Sequence, residues 1–160
     1  MFIALPFLKE WHRVHSLNAE WIKNDRDLAT KMILEDIDRA KERMLIYGGN
    51  GSIYNDSEIL SALKSKKINV EFILENKHEI LKNSPLFTVA KEHPNVHLYY
   101  AQEKTFKHHF RVIDYSCVYI EQCHEPEADD RMFKRFFNVR FLPGQYSKEF
   151  LSLKEQAKLV

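Results

Sequence analysis

The chain has 160 residues, the size of one domain, with 44% hydrophobic and 29% charged residues and a formal net charge of +1. So small a charge does not hold the whole molecule on DNA or on an anionic membrane, and any basic site has to be local. Four glycines and five prolines exclude long disordered linkers, and two cysteines, Cys117 and Cys123, are too few for a disulfide framework.

The apolar start, residues 1–8, is too short to span a bilayer, and it lacks the basic flank and small-residue cleavage site of a signal peptide. Residues 1–24 are therefore expected to dock on the core or on a partner chain, with a membrane-surface anchor as the alternative, and residues 25–160 to form the domain. Residues 25–43 carry helical periodicity. Ala29, Met32, Ile33, Ile37, Ala40 and Met44 share one face, while Asp36, Asp38, Arg39, Lys41 and Glu42 mostly face away. Asn24 or Asp25 stands where a cap belongs. A short apolar strand, 44–47, runs into the loop Gly48-Gly49-Asn50-Gly51-Ser52. A helix over 55–66, a strand over 70–74, a helix over 78–92 interrupted before Pro85, and a strand over 96–100 follow. This α-β-α-β-α-β alternation predicts a largely parallel sheet covered by helices.

The pattern then changes. Residues 106–113 and 117–121 read as two strands joined at Asp114-Tyr115-Ser116, a hairpin. On such a strand Cys117 and Cys123 lie apart on one face and cannot bridge, which points to a reducing, cytoplasmic setting. Residues 125–130 are acidic and loop-like. Residues 131–142 are aromatic and basic, and the alternation of Phe137, Val139 and Phe141 predicts a strand that Pro143-Gly144 breaks. Residues 147–158 close the chain as an amphipathic helix with Phe150, Leu151 and Leu153 inward.

The chemistry concentrates in Lys107-His108-His109-Phe110-Arg111-Val112-Ile113-Asp114. Alternate residues of a strand share a face, so Lys107, His109 and Arg111 form a polar ladder while Phe110 and Val112 point to a core. Fixed positive charge on both sides of His109 favours its neutral, nucleophilic form and draws oxyanions to the same place. A solvated sheet face is the competing structural explanation. No pair has the C-x2-C spacing of a zinc finger, and the adjacent Cys123 and His124 point to opposite faces, so no metal or cofactor is expected. The glycine-rich loop offers Gly49, Asn50 and Ser52 as anion contacts. Arg131, Lys134, Arg135 and Arg140 among Phe133, Phe136 and Phe137 suit a single nucleic-acid strand, in which bases stack and phosphates pair.

The run from Lys107 to Glu121 resembles the phospholipase D superfamily, whose H-x-K-x4-D motif lies on a strand followed by a turn and a second apolar strand. The flanking order of elements resembles it too, over roughly residues 28–157. The resemblance implies an α/β fold with a mixed sheet flanked by helices. It also implies a histidine that attacks phosphorus, a lysine that holds phosphate oxygens, and a second motif that supplies the leaving-group acid. Two registers are open. With Asp114 as the motif aspartate, Lys107 replaces the histidine and His109 the lysine. With His109 as the motif histidine, Arg111 replaces the lysine and Ser116 the aspartate. Neither register is intact, and one motif alone implies a two-fold homodimer for a complete site. His109, Lys107, Arg111 and Asp114 are the catalytic candidates, with His108, Glu121 and His124 beside them for binding. The expected function is recognition of a phosphate-containing ligand or nucleic acid with catalysis altered. The alternatives are a metal-independent phosphodiesterase or nuclease acting through a phosphohistidine, and a dimerisation or interaction domain.

Overall fold

The computed structural model describes residues 22–101, 108–122 and 131–160. Eight strands form one mixed sheet in the order β1-β7-β6-β5-β2-β3-β4-β8. Three of them, β2 (Arg43–Gly48), β3 (Asn69–Leu74) and β4 (Val96–Tyr100), are parallel. Their near-continuous apolar runs suit burial on both faces. The meander β5 (His108–Ile113), β6 (Cys117–Gln122) and β7 (Arg131–Phe137) continues antiparallel from β2. Ile22–Asn24 forms β1 against β7, so the chain joins the sheet before the first helix. At the far edge β8 (Lys158–Leu159) pairs with β4.

Helices α1 (Arg26–Arg39), α2 (Ser57–Ser65), α3 (His78–Lys82) and α4 (Pro85–Glu92) precede the meander, and α5 (Phe141–Gln156) follows it. Asp25 caps α1 by accepting from the Leu28 N–H at 2.8 Å, and Asp56 caps α2. The interruption expected before Pro85 is real, with Ser84 capping α4 and Pro85 in its first turn. The sheet separates two cores. On one face Ile33, Ile37, Ile59, Leu63, Leu86 and Val89 pack on Met44, Ile46, Phe72 and Leu98. On the other, Phe150 and Leu153 of α5 pack on Leu45, Tyr47, Ile73, Phe110 and Val112. Among the described residues no helix is long and apolar enough to cross a membrane.

Three expectations are corrected. The strand in the aromatic segment occupies its first half, Arg131–Phe137, and not residues 137–141. Val139 points into the small core of Val118, Ile120 and Phe136 from a bend, not from a strand. Pro143-Gly144 breaks nothing, because it sits in the first turn of α5, where a missing N–H leaves no intrahelical bond unmade. Finally, Asp36 does not face away: it is 0% exposed.

Asp114 closes the hairpin. Its φ of 51° is left-handed, which aspartate tolerates better than most residues. Its carboxylate accepts from the backbone N–H groups of Lys41, Glu42 and Arg43 at 3.1, 2.9 and 3.0 Å, tying the turn to the α1–β2 junction. Asp114→Ala should therefore lower the unfolding free energy by about 1–2 kcal/mol, the range of a lost capping side chain, and Asp114→Asn by less. Urea melts with a constant m-value measure this, and a loss no greater than for an exposed control such as Lys148→Ala would contradict it.

Candidate functional site

A cavity of about 270 Å³ opens where β2 and β3 end, between the β2–α2 loop and the antiparallel strands. Ligand sites of open α/β sheets favour this carboxyl edge. The loop is shaped by Gly51, whose φ of 76° needs glycine and whose Cβ would lie 2.4 Å from Leu74 Cδ1. Asn50 Oδ1 accepts from the Ser52 N–H at 3.0 Å, and the Asn50 carbonyl accepts from the Asn76 side chain at 2.9 Å. A short 3-10 turn, Ser52–Asn55, leads on toward α2.

His109 points into this cavity from β5 and is 7% exposed. A Cβ on Gly49 would stand 3.1 Å from His109 Cε1, so the loop backbone passes close to the imidazole only because residue 49 has no side chain. On the other side Glu75 Oε2 lies 3.6 Å from His109 Nε2. The second Glu75 oxygen accepts from the Tyr47 hydroxyl. Glu121 is the cross-strand neighbour of His109 and lines the same cavity, as does Arg131 at the start of β7. Glu75 carried no sequence signal beyond its place just after a strand.

Arg111 shares the face of His109 but turns inward. Its Nε donates to Asp36 Oδ2 at 3.0 Å, Nη2 stands 2.9 Å from the same oxygen, and the guanidinium lies 3.8 Å over the Tyr119 ring. Burial works against the charge of Arg111, but Asp36 outweighs it and holds the pKa above its ordinary value. Arg135 closes the network, donating to the other Asp36 oxygen and, at 3.0 Å, to Glu35. Asp36 was legible in principle, since it falls three residues after Ile33 and four after Met32 on the apolar stripe. An acidic residue on such a stripe calls for a buried cation.

The structure brings His109, Arg111, Glu121, Gly49, Asn50, Ser52 and Arg131 to one cavity. It does not bring the rest there. Asp114 lies at the opposite end of β5, in the hairpin turn. His108 alternates to the other face of that strand. Lys134, opposite Ile120, is likewise on the α5 side. Arg135 is engaged with Glu35 and Asp36. Lys107, Cys123 and His124 lie outside the described residues. Among the described residues no cluster of His, Cys, Asp and Glu is arranged to hold a metal.

No family model matches the chain, and no curated protein matches it. Solved structures do. TrmBL2, an archaeal chromatin protein described with a novel mode of DNA binding, superposes with a TM-score of 0.67 at 15% identity over 96% of this chain. The chain spans 62% of the length of TrmBL2. Nuc from Salmonella typhimurium, a phospholipase D family member, gives 0.60 at 13% identity, covering 82% of this chain and 90% of Nuc. NucT from Helicobacter pylori gives 0.57 at 14% identity, covering 88% and 96%.

Two outcomes follow from the buried network. Asp36→Ala strands two guanidiniums and should lower stability by about 3–5 kcal/mol, whereas removing the half-exposed Glu35 should lower it by about 1 kcal/mol or less. Chemical denaturation of both variants measures the contrast, and equal losses would contradict it. Cys117 is buried, and burial, aided by the Asp36 charge, pushes its thiol up to about 11. The folded chain then keeps a proton that the unfolded chain loses from pH 9.0 upward, so this contribution to stability is present below pH 9.0 and lost as pH rises toward 11. In a Cys123→Ser background the thiol should resist an aromatic disulfide reagent until urea unfolds the chain. Ready labelling of the native protein would contradict the burial.

Proposed function

We propose that this phospholipase D-like domain binds a phosphodiester-containing ligand, of which the nucleic-acid backbone is one, in the cavity over His109 without hydrolysing it. The fold itself is phospholipase D-like, as the superposition on Nuc establishes. One observation carries the proposal. The cation two residues after the histidine, where the family's lysine would hold phosphate oxygens, is Arg111, and Asp36 already occupies it. A phosphate would therefore compete with a 0%-exposed carboxylate for the charge of Arg111. The cavity is lined as well by His109, Arg131, Asn50 and Ser52. Glu75 and Glu121 oppose a doubly charged phosphate monoester, which favours the singly charged diester.

A second reading rests on the carboxylate 3.6 Å from His109 Nε2. A base beside an imidazole is the arrangement of an activated nucleophile. A metal-independent diesterase of this kind needs a second copy of the chain to bring a leaving-group acid across a two-fold axis. TrmBL2, a DNA-binding protein of this fold, supports nucleic acid as the ligand class.

The test is calorimetric titration with a thymidine dinucleotide in EDTA, with the mixture assayed afterwards for cleavage. The expected result is binding without cleavage. Affinity should fall about tenfold or more in Arg131→Ala and in His109→Ala, each losing a hydrogen bond to a charged group, and also in Gly49→Ala, whose Cβ crowds the imidazole. Cleavage that His109→Ala abolishes would replace this reading with the catalytic one. No binding would contradict both.

A further inference from the structure

We propose that the end of the sheet opposite the cavity is a second binding surface, built for single-stranded nucleic acid. The two ends lie roughly 17 Å apart, the rise of a strand as long as β2. At this end β2 begins, β7 stops, and the hairpin turns between β5 and β6. Three aromatic rings are left outside there: Tyr115 is 59% exposed, Phe141 41% and Phe137 37%. Tyr115 belongs to the hairpin turn, Phe141 begins α5, and Phe137 ends β7.

Arginines stand over these rings. The Arg43 guanidinium lies 4.2 Å from the Tyr115 centroid, and those of Arg39 and Arg135 lie 4.6 and 4.7 Å from the Phe137 centroid. Arg135 is an ion-pair partner of Glu35 and Asp36, but among the described residues neither Arg39 nor Arg43 has a carboxylate within ion-pair distance. Arg43 donates instead to the Ser147 hydroxyl at 3.1 Å. Lys41 and Arg140 are exposed beside them. The nearby carboxylates are Glu35 and Asp36, both engaged by Arg135, the exposed Asp38 and Glu42, and Asp114, which accepts from three backbone N–H groups. Arg140 is also the N-cap of α5, so the positive pole of a 16-residue helix points the same way.

The chemistry selects the occupant. A protein partner prefers a continuous apolar patch with cations at its rim, and here cations interleave with the rings. A duplex hides the faces of its bases and has nothing to stack on an exposed tyrosine. A single strand offers both halves, a base for the exposed Tyr115 and phosphates for Arg39 and Lys41. The surface is held rigidly, because Asp114 and Asn138 fix its two turns in left-handed conformations and the Val139 N–H bonds the Ser116 carbonyl at 3.1 Å.

This proposal does not rest on the cavity, and its test keeps the two apart. A labelled oligothymidylate about 20 nucleotides long, longer than one such surface occupies, and its oligouridylate and duplex counterparts are titrated by fluorescence anisotropy at several salt concentrations. The single strands should bind more tightly than the duplex. Tyr115→Ala should weaken them about fivefold or more, Tyr115→Trp should retain affinity, and Arg39→Ala should reduce the salt slope by about 0.7. The losses caused by Tyr115→Ala and Arg39→Ala should be the same within about twofold whether they are measured in the parent or in a His109→Ala background. The exposed Tyr115 and Arg39 variants should melt like the parent, which separates lost contacts from lost folding. Absence of binding at low salt, a preference for duplex, or affinity indifferent to Tyr115→Ala and Arg39→Ala would overturn the proposal.

Discussion

A single carboxylate organises this molecule. Asp36 sits on the buried stripe of α1 and faces the guanidiniums of Arg111 on β5 and Arg135 on β7. Without it the meander would carry two buried cations, and without them α1 would carry a buried anion. Either state costs several kcal/mol, about 3–5 when one partner of a buried pair is removed. The pairing therefore fixes how α1 lies across the antiparallel half of the sheet. It also bears on what the cavity has to offer, since the guanidinium that neutralises Asp36 lies in the cavity lining.

The same strand separates two kinds of work. His109, near the start of β5, reaches the cavity at the carboxyl ends of β2 and β3, where Gly49 lets the loop approach the ring. Asp114, just beyond its end, ties the hairpin to the chain entering β2 through three N–H groups. The two registers of the sequence motif fall on different ends of this strand. One register selects the pair that lines the cavity, His109 and Arg111, and the other selects the aspartate that holds the turn. The register that ends on Asp114 also contains His109, at the lysine position, yet the imidazole and the carboxylate lie at opposite ends of one strand. The aromatic-basic segment divides in the same way. Arg131 goes to the cavity, Arg135 to the buried network, Phe133 and Phe136 to the cores, and Phe137 to the exposed far end.

Much of the fold was legible where periodicity was long and unopposed. The stripe of α1, the three parallel strands, the break before Pro85 and the hairpin at Asp114 all follow from residue spacing. The misplacements share a cause, namely that short-range alternation cannot tell a bend from a strand. Phe137, Val139 and Phe141 alternate, yet Asn138 at a φ of 53° turns the chain between them and α5 begins at Phe141. Proline and glycine read as breakers because their place within a helix is not visible until its first residue is known. In the site, the loop glycines and His109 were legible from motif and turn chemistry. Asp36 and Glu75 were not taken up, because charge on a helix is ordinarily solvent-facing and a glutamate after a strand has no signature of its own.

The central claim is that Arg111 belongs to Asp36 and not to the ligand. The most direct measurement is the NMR signal of the Arg111 Nε–H, followed for hydrogen exchange and during titration with a phosphodiester. A protected signal that stays in place while the Arg131 signal shifts is the predicted result. A signal that exchanges freely with solvent, or that moves with the ligand, would contradict the claim.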